Sequence, residues 1–224
     1  MLDASVQETD GSSDLTARLR EAITSGRFMP NERLIETDLA RVFDANRANV
    51  RIALAMLDQE GLVVREHNRG ARVRLVSDRE AIEIAEARQA IEAMVARQAA
   101  ERVNDKDRAS LRAVTAKMRA AFEAPDFILF SQLNAELHRD IQNVAANATA
   151  SRLLQTLRSQ VVRLQYRAIL LPGRPAKSLA EHVEIVDAIC ANDAASAELA
   201  MRRHLSEVKD ALRQAIQAAK LGAY

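Results

Sequence analysis

The 224-residue chain is long enough to fit a small and a larger domain, each with its own core. Charged residues make up 28% yet nearly cancel at +1, Trp is absent, and only two Tyr and five Phe accompany 48% hydrophobic residues, so the core rests on Ala, Leu, Ile and Val and helices are favoured. No apolar run spans a bilayer, Met1–Ser13 is polar and acidic rather than a leader, and Cys190 has no cysteine to pair with, which argues against a membrane protein or a disulfide scaffold and for a cytoplasmic chain.

In chain order, residues 1–13 read as a disordered start. A first helix carries Leu15, Leu19, Ala22 and Ile23 at helical spacing and stops at Gly26 and Pro30. Thr37 is a candidate cap for a short second helix through Phe43. Asn46 is one for a third helix through Glu60, with Val50, Ala53, Leu54 and Leu57 on one face and Gly61 as terminator. Only Asp44 and Ala45 separate these two helices, so Asp44 must tolerate a left-handed turn, and a helix-turn-helix is expected. Two β-like runs follow, Leu62–Arg65 and Ala71–Val76. The segment between them, His67-Asn68-Arg69-Gly70, has the composition of a hairpin tip and makes a wing.

The total charge says nothing about nucleic acid, but its distribution does. From Arg41 to Val76 there are seven arginines against four acids. Arg47 and Arg51 lie four apart at the start of the third helix and project from one face, where they either reach phosphates and guanine edges or merely solvate the helix. Asn46 and Asn49 flank them. Asn46 suits an adenine edge and an N-cap equally well.

Over about Leu15 to Ser77 the sequence resembles the GntR family of bacterial regulators. The family run Ser-Arg-Thr-Pro-Val-Arg-Glu-Ala-Leu is matched by Asn46-Arg47-Ala48-Asn49-Val50-Arg51-Ile52-Ala53-Leu54. Its Gly-Leu-Val is matched by Gly61-Leu62-Val63, and its wing Asn-Arg-Gly by Asn68-Arg69-Gly70. Asn46, Ala48, Asn49, Ile52 and Asp44 depart from the family's Ser, Thr, Pro, Glu and turn Gly, which leaves the fold secure and the operator open. The resemblance implies a winged helix-turn-helix in which Arg47, Arg51 and the wing around Arg69 and Gly70 contact double-stranded DNA.

Ser77-Asp78-Arg79-Glu80 reads as a capping box, placing a domain boundary so that 14–76 forms the DNA-binding part and 77–224 an all-helical part. Helices are expected over 78–102, 106–123, 126–143, 149–171, 178–191 and 194–220, the fifth capped by a second box, Ser178 to Glu181. Short connections make this an antiparallel bundle of about six helices. The fold class is therefore mainly α, a winged helix plus a helical bundle.

Three histidines fall on inward faces: His138 with Phe130, Asn134 and Ile141; His182 with Ile185, Val186 and Ile189; His204 with Met201, Val208 and Ala211. His182 and His204 sit nearly symmetrically about Asn192-Asp193, so a reversal there brings them to similar heights, while Asn134 and His138 present two ligand atoms from a third helix. Imidazoles of this kind either hydrogen-bond within the core or hold a divalent metal such as zinc or nickel, and no organic cofactor is expected. Arg88 lies on the stripe Ile84, Arg88, Ile91, Val95 and needs an anionic partner, either a glutamate of the bundle or a bound carboxylate.

Residues 78 to 216 resemble the FCD-type domain that follows this winged helix in FadR-like members of the family. Its Asp-x-x-Phe-His, Gly-Asn, Glu-His and His-Leu elements have as counterparts Asn134-Ala-Glu-Leu137-His138, Ala146-Asn147, Glu181-His182 and His204-Leu205. The resemblance implies a divalent metal held by Asn134, His138, His182 and His204, with Asn134 a neutral, weaker ligand than the family's Asp. It implies a small carboxylate effector met by Arg88 and Asn147. A winged helix of this size reads one half-site, so a homodimer on a near-palindromic operator is expected, acting as a ligand-responsive repressor. The alternative is a metal-dependent enzyme fused to a DNA-binding module, which lacks support from any HExxH, Ser-His-Asp or phosphate-binding glycine motif.

Overall fold

The computed structural model describes the backbone of residues 4–66, 70–169 and 171–220, and their side chains apart from 4–13, 66 and 162–169. The chain divides into two compact units, Met1–Ser77 and Asp78–Tyr224.

The first unit runs α1 (Ala4–Thr24), β1 (Arg33–Leu34), α2 (Glu36–Val42), α3 (Arg47–Gln59), β2 (Val63–Glu66) and β3 (Gly70–Val73). Leu15, Leu19 and Ile23 of α1 bury against Val50, Leu54 and Leu57 of α3, with Leu34, Leu39, Phe43, Val63 and Val73 closing the core. Arg20 of α1 donates two hydrogen bonds, at 2.7 and 2.6 Å, to Glu60 at the end of α3. The turn between α2 and α3 is made by Asp44 at φ 50°, the left-handed residue that so short a connection requires. Asn46 caps α3, its Oδ1 accepting from the Asn49 backbone N–H at 2.7 Å.

The sheet has the antiparallel order β1-β3-β2, with Arg33 opposite Arg72 and Val63 opposite Val73. Gly70 opens β3 at φ 86°, and a Cβ there would lie 3.0 Å from the Leu34 carbonyl oxygen, so both the backbone angle and the close approach demand glycine.

Several local expectations are corrected. Residues 1–13 are not a disordered lead-in throughout, because α1 begins at Ala4. Once Leu15 to Ile23 anchor the helix, each preceding residue adds a backbone hydrogen bond at small cost, although Gly11 and its serine, threonine and aspartate neighbours are weak helix formers. Ile35, not Thr37, stands at the N-cap of α2, in extended conformation because β1 feeds straight into the helix. The second wing strand ends at Val73 rather than Val76.

The second unit is a bundle of α4 (Asp78–Arg102), α5 (Asp105–Glu123), α6 (Phe127–Ala145), α7 (Ala148–Ile169), α8 (Arg174–Cys190) and α9 (Ala194–Lys220). Alanines 81, 85, 93, 96, 99 and 100 are buried along α4, and Ala197 and Ala200 along α9, so these two helices pack with little side chain between them. Phe130, Leu137 and Ile141 of α6 fill the space beside Leu111 and Met118 of α5 and Ile185 and Ile189 of α8.

Asn104 and Asp107 form the capping box of α5, and Asp126 caps α6. At the exit of α6, Ala146 takes the left-handed conformation, φ 51° and ψ 34°, where glycine is the low-cost residue. α8 starts four residues before the expected Ser178. Gly173 in left-handed conformation precedes it and Pro175 occupies its first turn, so Ser178 and Glu181 are interior residues of the helix rather than its cap.

Candidate functional site

On the first unit, α3 displays Arg47, Ala48, Arg51 and Ile52 to solvent. Glu36, the first residue of α2, accepts from Arg51 Nε at 2.8 Å and stands 3.5 Å from Arg47 Nη2, while both arginine side chains remain 58% exposed. The bond from Arg51 is the main reason the Glu36 carboxyl lies below its ordinary range. The two guanidiniums are thus gathered on one side of an exposed helix by a carboxylate that solvent or an incoming phosphate can displace. Asn46 is occupied as the α3 cap, and Asn49, half-buried, supplies the backbone N–H it accepts. Gly70 shapes the start of β3, and Arg69 lies outside the described residues.

In the bundle, α6, α8 and α9 bring His138, His182 and His204 together. Each is at most 3% exposed, and one nitrogen from each lies within 4.8 Å of the others. The outward nitrogens are held by acceptors. His182 Nδ1–H donates to the Ser178 carbonyl at 2.6 Å, His204 Nδ1 lies 2.7 Å from Glu181 Oε2, and His138 Nδ1 stands 2.6 Å from Glu92 Oε2, a close but poorly aligned contact. The inward nitrogens face each other, with His138 Nε2 3.2 Å from His182 Nε2.

Burial pushes all three imidazoles below their ordinary pKa, and His182 and His204 well below it because a neighbouring imidazole adds to the effect. Neutral rings carry one N–H each. If that hydrogen sits on Nδ1, facing the carboxylates and the carbonyl, the Nε2 lone pairs of His138 and His182 confront one another. If His138 instead protonates Nε2, its bare Nδ1 meets Glu92. The arrangement with every Nδ1–H directed outward and the lone pairs converging is the one in which a ligated metal orients its histidines.

Asn134, one turn before His138 on α6, supports the same chemistry. Its Oδ1 is buried without a hydrogen-bond partner. The other buried side-chain atoms without a well-formed bond, among the described residues, are His138 Nδ1, Arg174 Nη1 and Glu181 Oε1, all on residues of this cluster or bonded to it. Orphaned polar atoms are costly and uncommon in a core, and their concentration here fits a site shaped for a guest. Three imidazole nitrogens and an amide oxygen form a donor set suited to a borderline divalent ion such as zinc.

Around the imidazoles lies a charged shell. Arg88 is 3% exposed and donates from Nε and Nη2 to Glu92 Oε1 at 2.9 and 2.7 Å. Arg158 of α7 reaches Glu92 Oε2 at 3.4 Å. Burial alone would raise the Glu92 carboxyl, but Arg88, Arg158 and His138 hold it well below its usual range. Burial lowers Arg158 to about 10. Arg174 donates to Glu181 Oε2 at 2.9 Å, so one carboxylate oxygen joins a guanidinium to His204.

Of the two partners open to Arg88, the structure therefore supplies the bundle glutamate, Glu92, and through it a link to His138. Asn147 is engaged at both ends: Oδ1 accepts from the Ala150 N–H at 3.0 Å at the start of α7, and Nδ2 donates to Gln98 Oε1 at 3.1 Å. Glu92, Arg158, Arg174 and Glu181 were not singled out as site residues from the sequence. The Arg88–Glu92 spacing of four on an apolar stripe was a usable signal, whereas Arg158 and Arg174 meet their site only through tertiary packing.

Comparison with known proteins agrees with both halves. Residues 12–73 match the model of the bacterial regulatory proteins of the gntR family, and residues 83–207, more than half the chain, match the FCD domain. The HTH-type transcriptional repressor RspR of Escherichia coli is 28% identical over 205 residues, covering 88% of this chain and 86% of that protein. An uncharacterized HTH-type regulator, BphR, of Paraburkholderia xenovorans is 27% identical over 88% of this chain and 83% of its own length. Among solved structures, E. coli McbR/YncC superposes with a TM-score of 0.76 at 19% identity, covering 91% of this chain and 97% of that one. A GntR regulator from Rhodococcus gives 0.70 at 22%, covering 95% and 98%. These relatives are transcription regulators rather than enzymes, and among the described residues no helix is long and apolar enough to cross a membrane. The chain belongs to the GntR family of DNA-binding transcription regulators and carries an FCD domain behind its winged helix.

Proposed function

We propose that this regulator is a metal-linked sensor of a small organic acid, acting as a repressor on a near-palindromic operator. In this reading 14–76 reads DNA and 77–224 senses the effector and joins two chains into a homodimer. The observation that carries it is the buried convergence of His138, His182 and His204 beside the unpartnered Asn134 Oδ1. His138, His182 and His204 would hold the ion through ring nitrogens and Asn134 through its amide oxygen. A divalent ion that accepts more than four ligands would leave a coordination position for a carboxylate oxygen beside these four residues.

The chain's own residues do the rest. Glu92, Glu181 and the Ser178 carbonyl fix the imidazole orientations, and Arg88 and Arg158 hold Glu92 ionised. Ligand binding on α6, α8 and α9 at once favours one arrangement of the bundle over another, and any arrangement that changes the spacing of two winged helices changes operator affinity by the same coupling. Arg47 and Arg51 on the exposed face of α3 are the proposed DNA contacts, with the wing at Arg69 and Gly70. Repression follows from occlusion of a promoter by a tight dimer, and the relative named as a repressor supports that sign.

The test is elemental analysis of protein purified without chelator or metal-affinity tag, comparing wild type with His138→Ala. About one divalent metal per chain, lost in the variant while helicity is retained, is expected. Absence of metal from both would refute the metal-linked reading.

A further inference from the structure

The outward side of α3 carries two chemistries next to each other. Arg47 and Arg51, 58% exposed, stand on the flank that meets Glu36. Ala48 and Ile52, also four residues apart, form a second ridge beside them, and Ile52 is 49% exposed. The core of the first unit is met by the opposite face of the helix, through Val50, Ala53, Leu54 and Leu57, each at most 2% exposed. Ile52 thus stands outside that core, at a position where the family run has a glutamate. The first turns of a recognition helix are the ones that meet base edges, and Ala48 and Ile52 lie in the first two turns of α3. Their side chains offer no hydrogen-bonding group. A base amine or carbonyl pressed against them would lose its water and gain no partner. In the major groove the apolar group that a base pair presents is the C5-methyl group of thymine. The adjoining guanidiniums suit phosphates and guanine edges, which makes DNA, rather than an apolar protein surface, the partner this mixed face fits.

We propose that Ile52, with Ala48 beside it, is a specificity-determining residue that reads a thymine methyl group in the operator. The two arginines supply attraction and guanine contacts, and the apolar ridge separates thymine from cytosine, whose edge has an amine and no methyl group. A glutamate at position 52 would accept from that amine, so isoleucine there turns the preference of the helix from cytosine toward thymine. The inference rests on the reading of α3 as the helix that contacts DNA.

The test uses the full-length protein and a duplex that it selects from a random library, with the thymines replaced one at a time by deoxyuridine, a change that removes the methyl group and leaves every hydrogen-bonding group in place. Fluorescence anisotropy is expected to find at least one thymine whose replacement weakens wild-type binding about threefold or more. Ile52→Ala is expected to bind the parent and that uridine duplex equally, and to melt with wild type because the residue it alters is exposed. Arg47→Ala should weaken both duplexes together and preserve their ratio. Unchanged wild-type affinity for every uridine duplex, or a penalty as large in Ile52→Ala as in wild type, would overturn the proposal while leaving the arginine contacts in place. Affinity unchanged in both Arg47→Ala and Ile52→Ala would overturn the placement of α3 on DNA as well.

Discussion

The same pair of residue types, arginine and glutamate, appears in both units and behaves differently in each. Glu36 gathers Arg47 and Arg51 at a surface where the arginines are 58% exposed, while Glu92 gathers Arg88 and Arg158 in a core where its own side chain is 2% exposed. In water an ion pair of this kind contributes little and opens readily, so the surface arginines can exchange one anion for another. In the core, removing either partner strands a charge, so the buried pair is a fixed element that orients what it touches. Exposure, more than residue identity, separates a group that can trade partners from one that positions others.

The largest effect expected from breaking this contrast is at Glu92. Glu92→Gln leaves Arg88 and Arg158 without a counter-charge and should cost about 3–5 kcal/mol of stability, read as a lower midpoint in urea unfolding. A loss near zero would mean that water reaches this shell freely. Next is Arg47→Ala, expected to lower operator affinity by about 1–3 kcal/mol with an unchanged melting temperature. Retained affinity would move the DNA contact away from α3.

Ala146→Gly should stabilise the bundle by roughly 1 kcal/mol, because glycine adopts the left-handed exit of α6 without the Cβ penalty. A destabilised variant would show that the Ala146 methyl group is worth more than the strain. Smallest is Glu36→Gln, which should change stability by less than about 1 kcal/mol yet raise non-specific DNA affinity by freeing both arginines.

Much of the fold was legible because its signals are local and long. The expected helices over 78–102 and 194–220 coincide with α4 and α9, and the cap at Asn46 is the one observed. β1 has no signal in the sequence because two residues, Arg33 and Leu34, are too few to show alternation, and their strand exists only by pairing with β3. The sequence pattern places the start of α8 too late because Ser178 and Glu181 imitate a capping box, while the actual start depends on a left-handed Gly173 ahead of Pro175.

The inward direction of the three histidines followed from helical periodicity. Their convergence depends on which helices pack together, and the partners Glu92, Arg158 and Arg174 come from α4, α7 and α8, whose juxtaposition no spacing in the sequence encodes.

In the proposed function, occupancy of the buried cluster in the bundle controls how tightly the exposed arginines on α3 hold DNA. This is tested by fluorescence anisotropy on a duplex selected from a random library by the full-length protein, titrated with and without zinc and each of a panel of small organic acids. A change in operator affinity of about fivefold or more in wild type, absent in His182→Ala, is the predicted result. Identical affinity with and without the ligands, in a protein that demonstrably binds them, would contradict it.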